Sequence, residues 1–574
     1  MGLGYTIKIG GEAGQGLQTI GDALSHVFTR AGFNVFTYQD YESRIRGGHN
    51  FTQIRFSDAP ALSPRERVDI LVALDRESIP RHEAELSEAG IAVYDSASLK
   101  QKYEKENFFD IPIENLALEH GGSKLMANTV ATGAVLGILG MGLDILSGII
   151  RDAFGRKGED VVNANLRAAG AGHEFARKGC LKCAFTLPKA GAGKMLMAGN
   201  EAVALGALAS GLKFYAAYPM TPSTGIMLYA AGKAKDFGVV VEQAEDEIAA
   251  INMALGASFA GVRAMTGTAT GGFSLMVEGL SLAGMTETPV VIAVGQRPAP
   301  ATGLPTRTEQ ADLLFVCHAA HGEFPRVVFA PGTPEQAFYL TNKAFDLAEK
   351  YQIPAFILTD QHLADSQWSC DGLDLSRLRY NDYRLRGDAF KGLKEYKRHA
   401  FTETGVSPLA VPGDAPYLVV TDSDEHDEEG HIIEDAATRI KMVEKRLLRK
   451  LPLIKKEISP PLLYGSEKPD VVLVGWGSTY GVLKEAVDEL SKGKSIAMLH
   501  FTEVCPFPED AGYLGLLNKA RLAIAVENNA TGQFARLMRA ETGFEFQAKV
   551  NRFDGRPFAL ETLIAELNAE IGRL

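Results

Sequence analysis

Cysteine is scarce in this chain of 574 residues, which has only Cys180, Cys183, Cys317, Cys370 and Cys505. So few thiols, so widely spread, are not a disulfide framework and fit a reducing compartment. Cys180 and Cys183 form a lone CxxC, and the clustered thiolates of an iron–sulfur site are missing. The pair reads as reduced cysteines beside a domain boundary. An excess of basic residues is missing too: the net charge is −12. That argues against a nucleic-acid binder, while leaving room for a local basic pocket that takes an anion. No leader with a basic start and a small-residue cleavage site opens the chain, so a cytoplasmic location is expected. A clean membrane span is also lacking. The one long apolar run, residues 129–150, is interrupted by Gly140-Met141-Gly142 and contains Asp144. It reads as two short buried helices, the second capped by Asp144.

With 46% apolar and 23% charged residues, the composition is that of a globular protein, and the length suggests three or four domains. An apolar strand at residues 5–9, a helix from Leu17 to about Ala31 and strands at 34–38 and 68–74 predict a first parallel α/β domain over 1–188. The run Lys189-Ala190-Gly191-Ala192-Gly193 marks a boundary. The alternation repeats over 194–365, where strands end near Tyr218, Val241, Thr266 and Val294, each before a polar or Gly-rich loop. Ligand sites in such sheets lie at the carboxyl ends of the strands. Residues 366–465 read as a connecting segment. Its acidic stretch around His426 reads as a solvated loop rather than a metal site, and is followed by a basic amphipathic helix at about 435–450. Residues 468–574 read as a small α/β domain.

Six motifs carry the chemistry. Gly10-Gly11-Glu12-Ala13-Gly14-Gln15-Gly16 joins a strand to a helix, where backbone N–H groups can meet a phosphate. It departs from the dinucleotide fingerprint at Ala13, and a tight structural turn explains it equally well. Ser43-Arg44-Ile45-Arg46-Gly47-Gly48 offers arginines that can fork onto a phosphate or carboxylate. Tyr218-Pro219-Met220-Thr221-Pro222-Ser223-Thr224 is a proline-stiffened turn with hydroxyls at a helix start. Glu245, Asp246 and Glu247 precede a small-residue apolar helix, so Glu247 is a candidate buried acid able to share a proton with a ligand nitrogen. Thr266-Gly267-Thr268-Ala269-Thr270-Gly271-Gly272 and the loop from Arg297 to Arg307 complete the set.

Together these motifs resemble the thiamine-dependent 2-oxoacid:ferredoxin oxidoreductases over nearly the whole chain. GGEAGQG with SRIRGG is similar to the family's γ domain, YPMTPST to its YPxTPS signature, and the run from Glu247 through TATGGF to Arg297 to the domain that holds the aminopyrimidine. The stretch containing Val526-Glu527-Asn528-Asn529 and Gly532-Gln533 resembles the transketolase-like C-terminal domain. The resemblance implies an α subunit with a fused γ domain and a three-domain α/β fold. It implies Glu247 as the carboxyl on the pyrimidine nitrogen, with Glu245 and Asp246 as competitors. Thr268 and Thr270 are the expected neighbours of that cofactor. Thr221, Arg297, Arg307, Arg46, Tyr218 and Pro219 are implied at the 2-oxoacid, and Gly14, Gln15, Gly16, Ser43 and Arg46 at coenzyme A.

The tripeptide Gly-Asp-Gly, the family's signature of the thiamine diphosphate and magnesium site, does not occur. The resemblance therefore implies a β partner that carries the diphosphate site, Mg2+ and a [4Fe–4S] cluster, in an (αβ)2 assembly served by ferredoxin. The loop RPAPATGLPT resembles the 2-oxoglutarate branch, and the reaction could run backwards to fix carbon dioxide. A pyruvate or branched-chain enzyme, or a non-catalytic scaffold or sensor on the same domains, are the alternatives.

Overall fold

The computed structural model describes residues 2–44, 47–180 and 185–573. The chain divides into two compact units. One comprises residues 1–197 with 366–372 and 558–565, and the other comprises the remainder.

The first unit is built on an eight-stranded sheet in the order Phe108–Asp110, Leu86–Tyr94, Val68–Ala73, Gly4–Ala13, Gly47–Ser57, Asn34–Asp40, Gln367–Cys370, Met195–Ala198. The sheet is mixed rather than parallel as expected. Gly47–Ser57 runs antiparallel to both its neighbours. Its pattern hides it: Gln53 and Arg55 are buried along with their neighbours Ile54 and Phe56. Gln53 satisfies its amide on the Arg65 carbonyl at 2.7 Å, so the polar positions of this central strand do not face water. The helix Leu17–Arg30 covers one face. Ile20, Leu24, Val27 and Phe28 form its buried stripe, and Phe28 stacks on Phe56 with ring centroids 4.1 Å apart.

The apolar run resolves into the helices Ala127–Ile138 and Asp144–Phe154. The first packs on Glu159–Gly179 through glycines: a Cβ at Gly133 would strike the Ala169 backbone, and one at Gly172 the Val130 carbonyl. Glycine is needed here for close helix approach rather than for lipid. Asp144 is not a cap. It is the first helical residue, after Leu143, and no side chain caps this helix. Among the described residues no helix is long and apolar enough to cross a membrane. Cys180 is disulfide-bonded, not reduced as expected, and Cys183 lies outside the described residues.

The second unit holds two sheets. The seven-stranded sheet has at its centre the parallel strands Leu212–Ala217, Arg263–Ala269, Val290–Gln296 and Pro354–Asp360. The five-stranded sheet is centred on Val471–Trp476, flanked in parallel by Ile496–Phe501 and Leu522–Glu527.

The acidic stretch around His426, expected to be a solvated loop, packs beside a cluster of buried charge. Glu287 receives Lys445 Nζ at 2.5 Å, His399 Nδ1 lies 3.2 Å away, and Lys450 also pairs with it. Burial pushes the Glu287 carboxyl up, but the two lysines and His399 overcome this and hold it well below the usual range. His426 is fully buried against His399, and Glu425 binds Arg446 and Arg439. Among the described residues no group of three His, Cys, Asp or Glu side chains could hold a metal.

Candidate functional site

At the carboxyl edge of the seven-stranded sheet, the chain leaves Leu212–Ala217 and turns through residues 218–223 into the helix Thr224–Phe237. Tyr218 is exposed, Pro219 and Thr221 are half-buried, and the Thr221-Pro222 peptide is cis. Ser223 precedes the helix without capping it, because its hydroxyl donates back to the Met220 carbonyl. Arg297, just beyond Val290–Gln296, donates from Nη1 to the Thr221 carbonyl at 2.7 Å. Burial lowers its guanidinium pKa. Gly295 allows this approach, since a Cβ there would lie 2.8 Å from Pro222 Cγ.

The three neighbouring acids separate cleanly. Glu245 is exposed. Asp246 caps the helix Glu247–Phe259, accepting the Ala249 N–H at 2.7 Å. Glu247 is 3% exposed, and its Oε1 has no hydrogen-bond partner. A carboxylate oxygen buried without a partner costs about 1–3 kcal/mol. Such a group survives where something outside the chain satisfies it. A Cβ at Gly272 would collide with both Glu247 Oε1 and Thr268 Oγ1, so this glycine keeps the space between them open. Thr268 Oγ1 also contacts Met220 Sδ at 4.0 Å. Residues Thr221, Glu247, Thr268 and Arg297 are thus brought to one place.

Thr270 turns elsewhere, donating to Asp312 Oδ2 at 2.7 Å. The loop carrying Arg307 and Asp312 was legible as far as Arg307. The structure adds Gln310, which is fully buried. Its amide donates to the Trp476 carbonyl at 2.9 Å and accepts the Asn528 N–H at 3.0 Å. Gln533 binds the Leu314 N–H and the Ala311 carbonyl. Glu527 in turn accepts the N–H groups of Phe534 and Ala535 at 2.8 and 3.0 Å, at the start of the helix Gln533–Thr542. Arg307 is half-buried on this loop, which Thr308 ties to the Gly555 carbonyl at 3.2 Å. Burial and then Asp312 push the Glu309 carboxyl up to about 7, an acid the sequence did not single out.

In the first unit the Gly-rich motif is mostly strand. Gly10–Ala13 belong to Gly4–Ala13, and only Gly14, Gln15 and Gly16 make the turn. Gly14 and Gly16 have φ of 93° and 78°, values that favour glycine. Gln15 accepts the Glu12 N–H at 2.8 Å and so closes the turn. Ser43 is exposed, and Arg46 lies outside the described residues. A polar chain that the motifs did not reveal runs from the strand after them. His49 Nε2 is 2.7 Å from His82 Nε2, Asp75 is at the far side of His49, and Glu85 is 2.9 Å from His82 Nδ1 and paired with Lys8. Burial lowers the His82 pKa.

Residues 205–445 match the family model "Pyruvate flavodoxin/ferredoxin oxidoreductase, thiamine diP-bdg", and residues 6–175 match "Pyruvate ferredoxin/flavodoxin oxidoreductase". A 2-oxoacid:ferredoxin oxidoreductase subunit alpha from a Sulfolobus species is 32% identical, over 97% of this chain and 95% of its own length. This chain belongs to the 2-oxoacid:ferredoxin oxidoreductase α-subunit family. A 2-oxoglutarate oxidoreductase subunit from Mycobacterium tuberculosis is 29% identical over 99% of this chain and 92% of its own length. The solved structure of a 2-oxoglutarate:ferredoxin oxidoreductase from Magnetococcus marinus, with 2-oxoglutarate, coenzyme A and succinyl-CoA bound, superposes with a TM-score of 0.91. It is 31% identical, and the match covers 99% of both chains. The oxidoreductase fold expected from the sequence is therefore present, including a thiamine-diphosphate-binding domain. The residues at the sheet edge fit one end of that cofactor, because the unpartnered Glu247 oxygen suits a ring nitrogen.

Proposed function

We propose that this chain is the α subunit of a 2-oxoglutarate:ferredoxin oxidoreductase, interconverting 2-oxoglutarate and coenzyme A with succinyl-CoA and carbon dioxide. The observation that carries the reading is the buried, unpartnered Oε1 of Glu247 at the carboxyl edge of a thiamine-diphosphate-binding domain. The substrate is supported by the full-length similarity to a relative solved with 2-oxoglutarate bound. Thiamine diphosphate, when bound, supplies the nucleophile and the electron sink for decarboxylation. Glu247 holds a proton against the pyrimidine nitrogen, and Thr268 lies beside it across Gly272. Arg297 keeps the 218–223 turn in place through the Thr221 carbonyl and has further N–H groups for the substrate carboxylate. Arg307 and Arg46 are the candidates for a second carboxylate, and Gly14, Gly16 and Ser43 for coenzyme A. Residues 1–188, 194–365 and 468–574 then act as γ-type, pyrimidine-binding and transketolase-like domains. A β partner in an (αβ)2 assembly supplies the diphosphate site, Mg2+ and the [4Fe–4S] cluster, and ferredoxin takes the electrons.

The test is viologen reduction by the chain co-purified with its β partner. Thiamine diphosphate, magnesium and coenzyme A are supplied, and 2-oxoglutarate, pyruvate and 2-oxoisovalerate are compared. Preference for 2-oxoglutarate supports the reading. Preference for another 2-oxoacid overturns the substrate, and no turnover with any of them overturns the activity and favours a scaffold or sensor.

A further inference from the structure

Two free thiols meet in the second unit, away from the acids and hydroxyls described above. Cys317 is buried in the short helix Leu313–His318, and Cys505 is half-buried at the end of the strand Glu503–Cys505. That strand pairs with Val327–Phe329, with Cys505 opposite Val328. The two cysteines pack in one apolar cluster with Val316, Val328 and Val504, and each thiol acts on the other's titration. Arg326, two residues before Val328, fixes the geometry. It is 7% exposed and donates to the carbonyls of Val316 and Ala319 at 3.4 and 2.7 Å, which ties its strand to both ends of the Cys317 turn. Arg326 and Glu541 are the charged groups that act on the pair.

We propose that Cys317 and Cys505 form a modification site, a dithiol that a hydroperoxide oxidises to an intrachain disulfide. Cys317 favours the thiolate on Cys505, and Cys505 with burial pushes the Cys317 thiol up, so Cys505 is the nucleophile and Cys317 the resolving thiol. The Cys505 thiolate attacks the peroxide O–O bond. It becomes a sulfenic acid, and the departing hydroxide is protonated to water. Cys317 sulfur then attacks that sulfenic sulfur, the S–O bond breaks, and hydroxide leaves with the Cys317 proton as a second water. Two thiols and one hydrogen peroxide thus give one disulfide and two waters. The half-buried Cys505 supplies access, and the buried partner completes the bond before further oxidation. The bridge would tether the helix that begins directly after Asp312 to an edge strand from the other end of the chain.

The test exposes the intact complex to stoichiometric hydrogen peroxide, alkylates the remaining thiols and maps the peptides by mass spectrometry. A cross-linked peptide pair holding Cys317 and Cys505, reversed by dithiothreitol, is expected. Cys317→Ser should leave a Cys505 sulfenic acid that dimedone traps, and Cys505→Ser should leave Cys317 reduced. If both thiols of the wild-type complex remain alkylatable while other cysteines oxidise, the proposal fails. It also fails if Cys505 sulfenic acid persists in the wild type with Cys317 unbridged. The wild-type mapping decides the matter even where a variant does not fold.

Discussion

Glu247 and Glu287 are both buried, at 3% and 1% exposure, within the same unit, yet the same substitution should do opposite things to them. Glu247 Oε1 has no partner in the chain. Replacing it with glutamine changes a side chain that already carries a buried, unsatisfied oxygen, at about 1–3 kcal/mol. The amide keeps the shape, so Glu247→Gln should leave stability within about 1 kcal/mol of the parent, or raise it. Activity should behave otherwise. A residue that shares a proton with a cofactor nitrogen contributes about 10²–10⁴-fold. The amide cannot take up that proton, so 2-oxoacid-dependent viologen reduction should fall by that range. Urea unfolding of the chain, followed by circular dichroism, is measured beside the activity of the β-containing complex. A loss of more than about 2 kcal/mol would mean that Glu247 is partnered inside the chain. Full activity in a folded Glu247→Gln complex would refute its role at the cofactor.

The matched change Glu287→Gln strands two buried ammonium groups, Lys445 and Lys450, each 1% exposed, and should cost about 3–5 kcal/mol in urea unfolding. A loss below about 1 kcal/mol would show that the cluster is not what holds residues 398–450 to the Glu287 turn. Acid should weaken the second unit in a defined window. Burial lowers His362 and His500 to about 4 in the folded state, below the ordinary value of about 6.5. Between those two values the unfolded chain binds more protons, so stability falls as pH drops through the window, by on the order of 3 kcal/mol per histidine. A flat unfolding midpoint from neutrality to the acid end would contradict this. Gly272→Ala should push the Glu247 and Thr268 side chains apart and weaken thiamine diphosphate affinity by roughly tenfold. Unchanged cofactor titration would place Glu247 and Thr268 outside the site.

Local pattern alone determined a good deal about this protein. Most of the motifs sit where strand and helix periodicities meet, and those periodicities need only near neighbours. The buried stripe of Leu17–Arg30, the strands from 212 to 296 at whose carboxyl ends the candidate residues lie, and the apolar helix after Glu247 were all legible in this way. So was the broken run at 129–150, because glycines and Asp144 interrupt it. Tertiary structure decided what depends on distant partners. Three consecutive acids look alike in sequence, and only the packing of Glu247 under Gly272 separates it from the capping Asp246 and the exposed Glu245. The central strand Gly47–Ser57 has polar residues that pair rather than face solvent, so no alternation betrays it. Gln310 holds the Arg307 loop through residues more than 150 positions away. The charged segment near His426 reads as solvated until Lys445 and Lys450 are seen to reach Glu287. Charge and polarity are local properties of a sequence, but whether they are buried is decided by residues far along the chain.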